Sequence, residues 1–255
     1  MNKQPIYIAF STQKGGAGKT TLTVLVASYL HYMKGLDVAI IDCDYPQHSI
    51  AEMRERDLKM AMEDDYYNRM AEDLYTRLDR KAYPVVESST ERAIADAEYI
   101  CEKEDFDIIL FDLPGTVNNP SVITALANMD YIFAPIIADH LVLRSTLRYM
   151  VVVTDLIRKS GVSTIKDIYM FWNKVDGREK TELYDVYEKV IGDLDFKVLK
   201  TFLPDKKRYS HEQSILHRPL FRSTLFPPER SLLRGSNLVE LTDEILNIMK
   251  LKNNG

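Results

Sequence analysis

The chain has 255 residues, of which 45% are hydrophobic and 28% are charged, and its formal net charge is −5. This composition is typical of a globular protein in water, and the length suffices for a core that needs no disulfide or metal. Its two cysteines, Cys43 and Cys101, lack metal-ligand spacing and exclude a disulfide framework, which favours a reducing compartment. No apolar stretch is long enough to cross a bilayer. We therefore expect a cytoplasmic protein, and one domain over residues 1–255 because no linker-like segment divides the chain.

The charge is distributed unevenly. Residues 51–107 carry 17 acidic and 9 basic side chains, whereas residues 200–234 carry 8 basic and 3 acidic ones. A basic surface of this kind indicates contact with a polyanion, although a solvated basic face gives the same count.

Short apolar and β-branched runs alternate with helix-length segments. In chain order, strands are predicted at Ile6–Phe10, Val38–Ile41, Val85–Val86, Ile108–Phe111, Tyr131–Ile137, Ile168–Trp172 and Val198–Leu203. Helices are predicted at Lys19–Lys34, Thr90–Glu104, His140–Lys159 and Lys180–Gly192, and the acidic stretch Ile50–Lys81 is predicted to be helical with a break at Asp64–Asn68. The alternation predicts a doubly wound α/β fold, with a mostly parallel, twisted sheet of about seven to eight strands and helices on both faces.

A glycine-rich loop follows the first predicted strand and reads Lys-Gly-Gly-Ala-Gly-Lys-Thr-Thr from Lys14 to Thr21. The glycines allow backbone N–H groups to point at phosphate oxygens, and the start of the next helix adds a positive dipole end. Lys19 would lie near the terminal phosphates, and the Thr20 hydroxyl is a suitable ligand for Mg²⁺. This pattern predicts a three-layer P-loop NTPase fold, whose nucleotide would be bound by Gly15, Gly16, Ala17, Gly18, Lys19, Thr20 and Thr21.

Acidic residues end two of the predicted strands. Asp112 follows the run Ile108–Phe111 and can hold Mg²⁺ as a Walker-B aspartate does. Asp42 and Asp44 follow the second strand, so that one can serve the metal while the other orients an attacking water.

The loop with a leading lysine is the deviant Walker A pattern, and the chain resembles the ParA/MinD family of ATPases. The segments Asp42–Gln47 and Asp112–Pro114 occur in the order and spacing of that family. The resemblance implies that Lys14 reaches the phosphates of a partner subunit in a nucleotide-bound homodimer, and that Lys19 and Asp44 serve hydrolysis. It places Asp42 near the Mg²⁺ ion. Tyr45 is an extra residue before Pro46, which leaves the position of Gln47 open.

The base of the nucleotide is predicted from a second segment, Asn173-Lys174-Val175-Asp176. This tetrapeptide matches the guanine-reading NKxD pattern of GTPases, but ParA-like proteins also use an asparagine here, for adenine. The Walker A lysine favours ATP. By the same resemblance Asn173 and Pro204 would contact the base.

Within the family, the chain is most similar to small ParA-type DNA-partition ATPases, including those of conjugative or other mobile elements. The resemblance implies a nucleotide-dependent homodimer that binds non-specific DNA, associates with the nucleoid when ATP-bound, and responds to a ParB-like partner. Arg218 and Arg222 of the basic segment are the candidate DNA contacts. The alternatives are a MinD-like membrane-associated ATPase and a metabolic enzyme or GTPase on the same fold. The predicted last helix, Leu238–Leu251, is too acidic for a membrane anchor and is expected to close the core.

Overall fold

The computed structural model describes residues 4–13, 15–161, 163–177, 181–212 and 216–251. Its centre is a seven-stranded sheet in which every pairing is parallel. The strands are β1 (Ile6–Phe10), β2 (Val38–Asp42), β3 (Val85–Glu87), β4 (Ile108–Asp112), β5 (Tyr131–Ile136), β6 (Asp167–Trp172) and β7 (Lys197–Val198). Their spatial order is β3-β2-β4-β1-β5-β6-β7, so the first strand lies in the middle.

Helices follow most of the strands and cover both faces of the sheet. They are α1 (Lys19–Lys34), α2 (Ser49–Glu63), α3 (Asp65–Leu78), α4 (Ala93–Cys101), α5 (Pro120–Ala127), α6 (His140–Ser160), α7 (Thr181–Asp193), α8 (Arg230–Leu233) and α9 (Leu238–Met249). The predicted α/β fold of the P-loop NTPase class is confirmed.

Two apolar layers hold the helices on the sheet. The first contains Leu25 of α1, Tyr67 of α3 and Leu241 of α9. The second, on the opposite face, contains Leu126 of α5 and Met150 of α6. Because both faces of the central strands are covered, those strands read as continuous apolar runs.

The acidic stretch forms two helices that meet at Asp64, within the predicted break. Asp64 has an extended backbone and its carboxylate accepts a hydrogen bond from the N–H of Tyr66, so that it ends α2 and caps α3. The acidic side chains of α2 and α3 mostly face solvent, since each helix has one buried stripe.

The predicted last strand is wrong in extent. Only Lys197–Val198 form β7, although Val198–Leu203 was predicted. The N–H groups of Leu199 and Leu203 still donate to carbonyls of β6, but the residues between them leave the ladder before Pro204. Apolar content predicted a strand where the backbone pairs only intermittently.

The last helix packs on the first apolar layer, as predicted. Leu238, Leu241, Ile245, Leu246 and Met249 of α9 are buried. Within the residues that the structure describes, no helix combines the length and apolar character needed to cross a membrane.

Candidate nucleotide and metal site

Four segments meet at the carboxyl edge of the sheet. The glycine loop follows β1, Asp42 ends β2, Asp112 ends β4, and Asn173 follows β6. Asp42 and Asp112 are direct neighbours in the β2–β4 pairing. Since ligands of open parallel sheets bind at this edge, the predicted site residues lie where such a ligand would lie.

The glycine loop adopts left-handed backbone angles at two glycines. Gly16 has φ of 74° and Gly18 has φ of 95°, values that side-chain-bearing residues rarely adopt. A Cβ atom on Gly18 would also lie 3.2 Å from the amide nitrogen of Asn173. The loop leads directly into α1, whose first turn presents free N–H groups. Lys14 lies outside the described residues, and its role across a dimer stays a prediction.

Thr20 and Asp112 form the core of the candidate metal site. The Thr20 hydroxyl donates to Asp112 Oδ2 over 2.7 Å. Asp112 Oδ1 is buried and has no hydrogen-bond partner among the described residues. Burial raises the pKa of Asp112 to about 7, and the nearby charges of Asp42 and Asp44 add to this rise.

This arrangement fits Mg²⁺. A hydroxyl and a carboxylate are hard oxygen ligands, and a cation would both satisfy Oδ1 and stabilise the ionised form of Asp112. No cluster of three or more His, Cys, Asp or Glu side chains in the described part of the chain could bind a metal alone. Such a cation would therefore depend on Thr20, Asp112 and phosphate oxygens, as is usual for Mg²⁺ at a nucleotide.

Asp42 stabilises the start of α2. Its Oδ2 atom accepts hydrogen bonds from the backbone N–H groups of Ile50 and Ala51, at 2.9 and 3.0 Å. It thereby caps α2 from the preceding strand, because the N-cap residue His48 makes no side-chain cap of its own. The metal role of Asp42 stays a prediction. Asp44 is half-buried at the same edge, and its role in hydrolysis also stays a prediction.

Gly115 brings the loop after β4 against the glycine loop. A Cβ atom at this position would lie 2.4 Å from the carbonyl oxygen of Thr12 and 3.0 Å from Lys19 Nζ. Only glycine permits this approach. The close contact places the loop after Asp112 beside Lys19, the lysine that would bind the terminal phosphates.

Asn173 and Lys174 hold the glycine loop from the other side. The Asn173 amide donates to the carbonyl of Ala17 over 2.8 Å, and Lys174 Nζ donates to the carbonyl of Gly16 over 2.8 Å. Asn173 is also buried, and its Oδ1 accepts from the N–H of Lys174. Both side chains therefore fix the shape of the loop, whereas the sequence assigned Asn173 to the base alone.

A cavity of about 260 Å³ opens beside the loop and is the candidate nucleoside site. It is lined by Gly16, Gly18, Thr21, Leu22, Asn173, Lys174, Leu203, Asp205, Lys206, Tyr209 and Arg222. Pro204 forms a backbone bridge with Val175 and is not part of this lining. Asp176 lines a separate cavity with Trp172 and Tyr184. The aspartate that would complete a guanine-reading pattern is thus absent from the lining of the candidate nucleoside site.

The two candidate DNA contacts lie in different environments. Arg218 is exposed. Arg222 is only 21% exposed at its side chain, forms an ion pair with Glu212, and donates to the Thr21 hydroxyl over 2.6 Å. Arg208 is also engaged internally, since it donates to the carbonyls of Leu232 and Arg234. The basic segment is therefore not one continuous outer surface.

Sequence reasoning overlooked several residues of this site. Lys174 stands beside Asn173 in a pattern already noted, so its contact with the loop could have been proposed. The Pro114-Gly115 pair after β4 predicts a turn at this place, but not its close approach to Thr12. Tyr209 and Glu212 had no local signal. The inward position of Arg222 had none either, because its contact with Thr21 joins residues 201 positions apart in the chain.

A left-handed glycine loop before a helix, with a buried aspartate bonded to the loop threonine, defines a P-loop nucleotide-binding protein. A comparison of the sequence with known families gives the particular family. The chain belongs to the CobQ/CobB/MinD/ParA nucleotide binding domain family, which it matches over residues 8–215.

The similarity to known proteins covers nearly the whole chain. The uncharacterized protein BBD21 of Borreliella burgdorferi is 27% identical over 253 residues, covering 91% of this chain and 96% of that protein. The structure of pNOB8 ParA bound to nonspecific DNA is 18% identical with a TM-score of 0.63, over 97% of this chain and 99% of that one. A putative plasmid partition protein from Borrelia burgdorferi bound to AMPPNP is 15% identical with a TM-score of 0.60, again over 97% and 99%. At these identities the two structures show a shared fold.

Proposed function

We propose that this protein is a Mg²⁺-dependent ATPase of the ParA type, a dimerising switch that binds non-specific DNA and partitions or positions DNA cargo. In this proposal ATP binding forms the homodimer, and a ParB-like partner stimulates hydrolysis. The ATP-bound form associates with the nucleoid, and the released form is cytoplasmic. The family and the similarity to partition proteins support this assignment.

The Thr20–Asp112 pair beside Lys19 is the observation that carries the proposal. The pair is a candidate metal site with an unsatisfied carboxylate oxygen, directly at the loop that would bind the phosphates. Gly115 touches the same loop, so the segment after β4 can change position when the terminal phosphate is present or lost. When bound, Mg²⁺ would stabilise the charge that develops on the phosphates.

Dimerisation tests the role of the leading lysine. Lys14→Ala is expected to bind ATP but to lose the ATP-dependent increase in mass measured by light scattering, because the cation supplied across the dimer is missing. Lys59→Ala, which removes an exposed lysine of α2, is the matched control and should dimerise normally. Normal dimerisation of Lys14→Ala would remove this residue from the proposal.

DNA binding tests the partition role. The ATP-bound protein should be retained on DNA of arbitrary sequence, and retention should fall steeply as salt rises because phosphate contacts release counterions. Arg218→Ala should reduce retention, whereas Arg158→Ala, an exposed arginine on α6, should not. Equal retention with ATP and with ADP would argue against a nucleotide-controlled DNA switch.

Liposome binding and nucleotide choice separate the remaining alternatives. Cosedimentation with anionic liposomes in ATP, without retention on DNA, would favour the MinD-like function. Calorimetric titration should show tighter binding of ATP than of GTP, since Asp176 lies outside the candidate nucleoside site. Tighter binding of GTP would favour a GTPase on this fold.

A further inference from the structure

Arg222 lies at the inner wall of the candidate nucleoside site, next to the glycine loop. Its Nη1 group donates to the hydroxyl of Thr21, the residue that follows Lys19 and Thr20 in the first turn of α1. By the P-loop pattern, Lys19 and Thr20 would face the terminal phosphates and the metal. Thr21 and the cavity beside it therefore lie toward the α-phosphate and the nucleoside.

Glu212 connects Arg222 to helix α2. One carboxylate oxygen of Glu212 pairs with Arg222, and the other pairs with Arg56 in the middle of α2. The contacts Thr21–Arg222–Glu212–Arg56, which we name the Arg222 relay, thus run from the glycine loop to α2. The start of α2 is held by Asp42, so this helix contacts both the metal edge and the nucleoside edge of the site.

The Arg222 relay has more buried donors than acceptors. Two guanidinium groups share the carboxylate of Glu212, and Arg56 Nη2 also lies 3.6 Å from Asp57 Oδ1. The Nε atoms of Arg56 and Arg222 and the Nη2 atom of Arg56 are buried, and no described residue accepts a hydrogen bond from them. Burial lowers the pKa of Arg222, and the charge of Arg56 contributes. An anion in the cavity that Arg222 lines would provide an acceptor for the buried donor of this side chain.

We propose that Arg222 contacts the α-phosphate of the bound nucleotide, and that the Arg222 relay transmits nucleotide binding to α2. The inference rests on the proposed function, because it requires a nucleotide on the glycine loop. It gives Arg222 a role inside the site in place of the predicted contact with DNA. Two further cations, Lys174 and Lys206, line the same cavity, together with one acidic residue, Asp205.

Substitution of Arg222 tests the phosphate contact. Arg222→Met should weaken ADP and ATP to a similar extent, by about tenfold or more, because both nucleotides carry the α-phosphate. Arg222→Lys should restore part of the affinity, and Arg69→Met, which removes an exposed arginine of α3, should leave it unchanged. In phosphorus NMR of bound ADP, Arg222→Met should shift the α-phosphorus signal more than the β-phosphorus signal.

Glu212→Gln tests the connection to α2. In the wild type, ADP should slow hydrogen exchange of the backbone amides of residues 49–63, whereas in Glu212→Gln the nucleotide should bind with less protection of that helix. Unchanged protection would overturn the role of the Arg222 relay in transmission.

The outcomes separate this inference from the proposed function. Failure of the wild type to bind any nucleotide with Mg²⁺ would overturn both. Wild-type binding together with unchanged nucleotide affinity in Arg222→Met would overturn only the phosphate contact. Loss of DNA retention in Arg222→Met at unchanged nucleotide affinity would show that Arg222 contacts DNA instead.

Discussion

At the scale of single residues, Asp112 has a carboxylate that protein groups alone do not satisfy. One oxygen accepts from Thr20, and the other is buried without a partner among the described residues. Without a cation, the pKa of Asp112 is therefore about 7, and the side chain keeps its proton below that pH. Metal binding and release of this proton are consequently linked.

The stability of the nucleotide-free and metal-free protein should depend on this proton. The folded state holds it up to about pH 7, while the unfolded chain releases it near pH 3.8, so stability falls as pH rises between these values. Between pH 6 and pH 8 the free energy of unfolding of the wild type should fall by about 1.4 kcal/mol more than that of Asp112→Asn. Urea denaturation at both pH values measures the difference, and parallel behaviour of the two proteins would contradict the prediction.

Removing the Asp112 carboxylate should also abolish the effect of Mg²⁺ on the affinity for ATP. In the wild type, Mg²⁺ should strengthen ATP binding, whereas in Asp112→Asn the titration should give similar affinity with Mg²⁺ and with EDTA. Asp155→Asn, which removes an exposed charge from α6, should retain the Mg²⁺ effect. A full Mg²⁺ effect in Asp112→Asn would exclude Asp112 as a metal ligand.

At the scale of elements, helix α2 is fixed by two buried aspartates. Asp42 holds its first turn, and Asp57 holds its middle to the segment at residues 223–224. The Oδ2 atom of Asp57 accepts from the Ser223 hydroxyl, the Thr224 N–H and the Thr224 hydroxyl, at 2.8, 2.7 and 3.0 Å. The position of α2 therefore depends on polar contacts that few alternative arrangements could satisfy.

Asp57→Ala should destabilise the protein strongly. It leaves the Ser223 and Thr224 donors buried and unpaired, and we expect a loss of about 2–4 kcal/mol of unfolding free energy. Glu55→Ala changes the same charge at an exposed position of the same helix and should cost less than about 0.5 kcal/mol. Thermal melts of the two variants provide the comparison, and similar midpoints would contradict it.

Most helices and strands were predictable from local patterns in the sequence, whereas the extent of the edge strand β7 was not. The start of α1 and its end at Gly35, which has φ of 70°, follow local backbone preferences. Helix α5 was not predicted, although Asn119 before Pro120 is a cap signal. The end of β7 depends on which carbonyls of β6 are within reach, and no local pattern encodes that distance.

The same distinction holds for the site. The residues of the loop at 15–21 are consecutive, and Asp112 directly follows an apolar run. Local patterns in the sequence therefore predicted both. The contact of Arg222 with Thr21 joins positions 201 residues apart, and composition predicted only that Arg222 belongs to a basic segment. Folding turned that side chain inward, where burial and Glu212 determine its environment.

At the scale of the whole molecule, α9 completes one of the two apolar layers. Ile245 is fully buried in it, and the helix packs against α1, which carries the glycine loop at its start. The apolar face of α9 is thus occupied within the protein and is not available to a membrane while the helix stays in place.

Shortening a buried side chain on this face of α9 should destabilise the protein. Ile245→Ala should cost about 2–5 kcal/mol of unfolding free energy, whereas Asn247→Ala on the exposed face should cost little. Denaturation monitored by circular dichroism measures both. A small loss for Ile245→Ala, with gain of liposome binding, would contradict a core role for α9.

The central position of β1 has a consequence for biosynthesis. Residues 6–10 leave the ribosome well before their two neighbours in the sheet, residues 108–112 and 131–136. The apolar strand β1 and the helix α1 therefore lack their neighbours in the final sheet until more than a hundred further residues have been translated. During that interval the nascent chain exposes an aggregation-prone segment, and we expect chaperones to bind its N-terminal region until β5 has emerged.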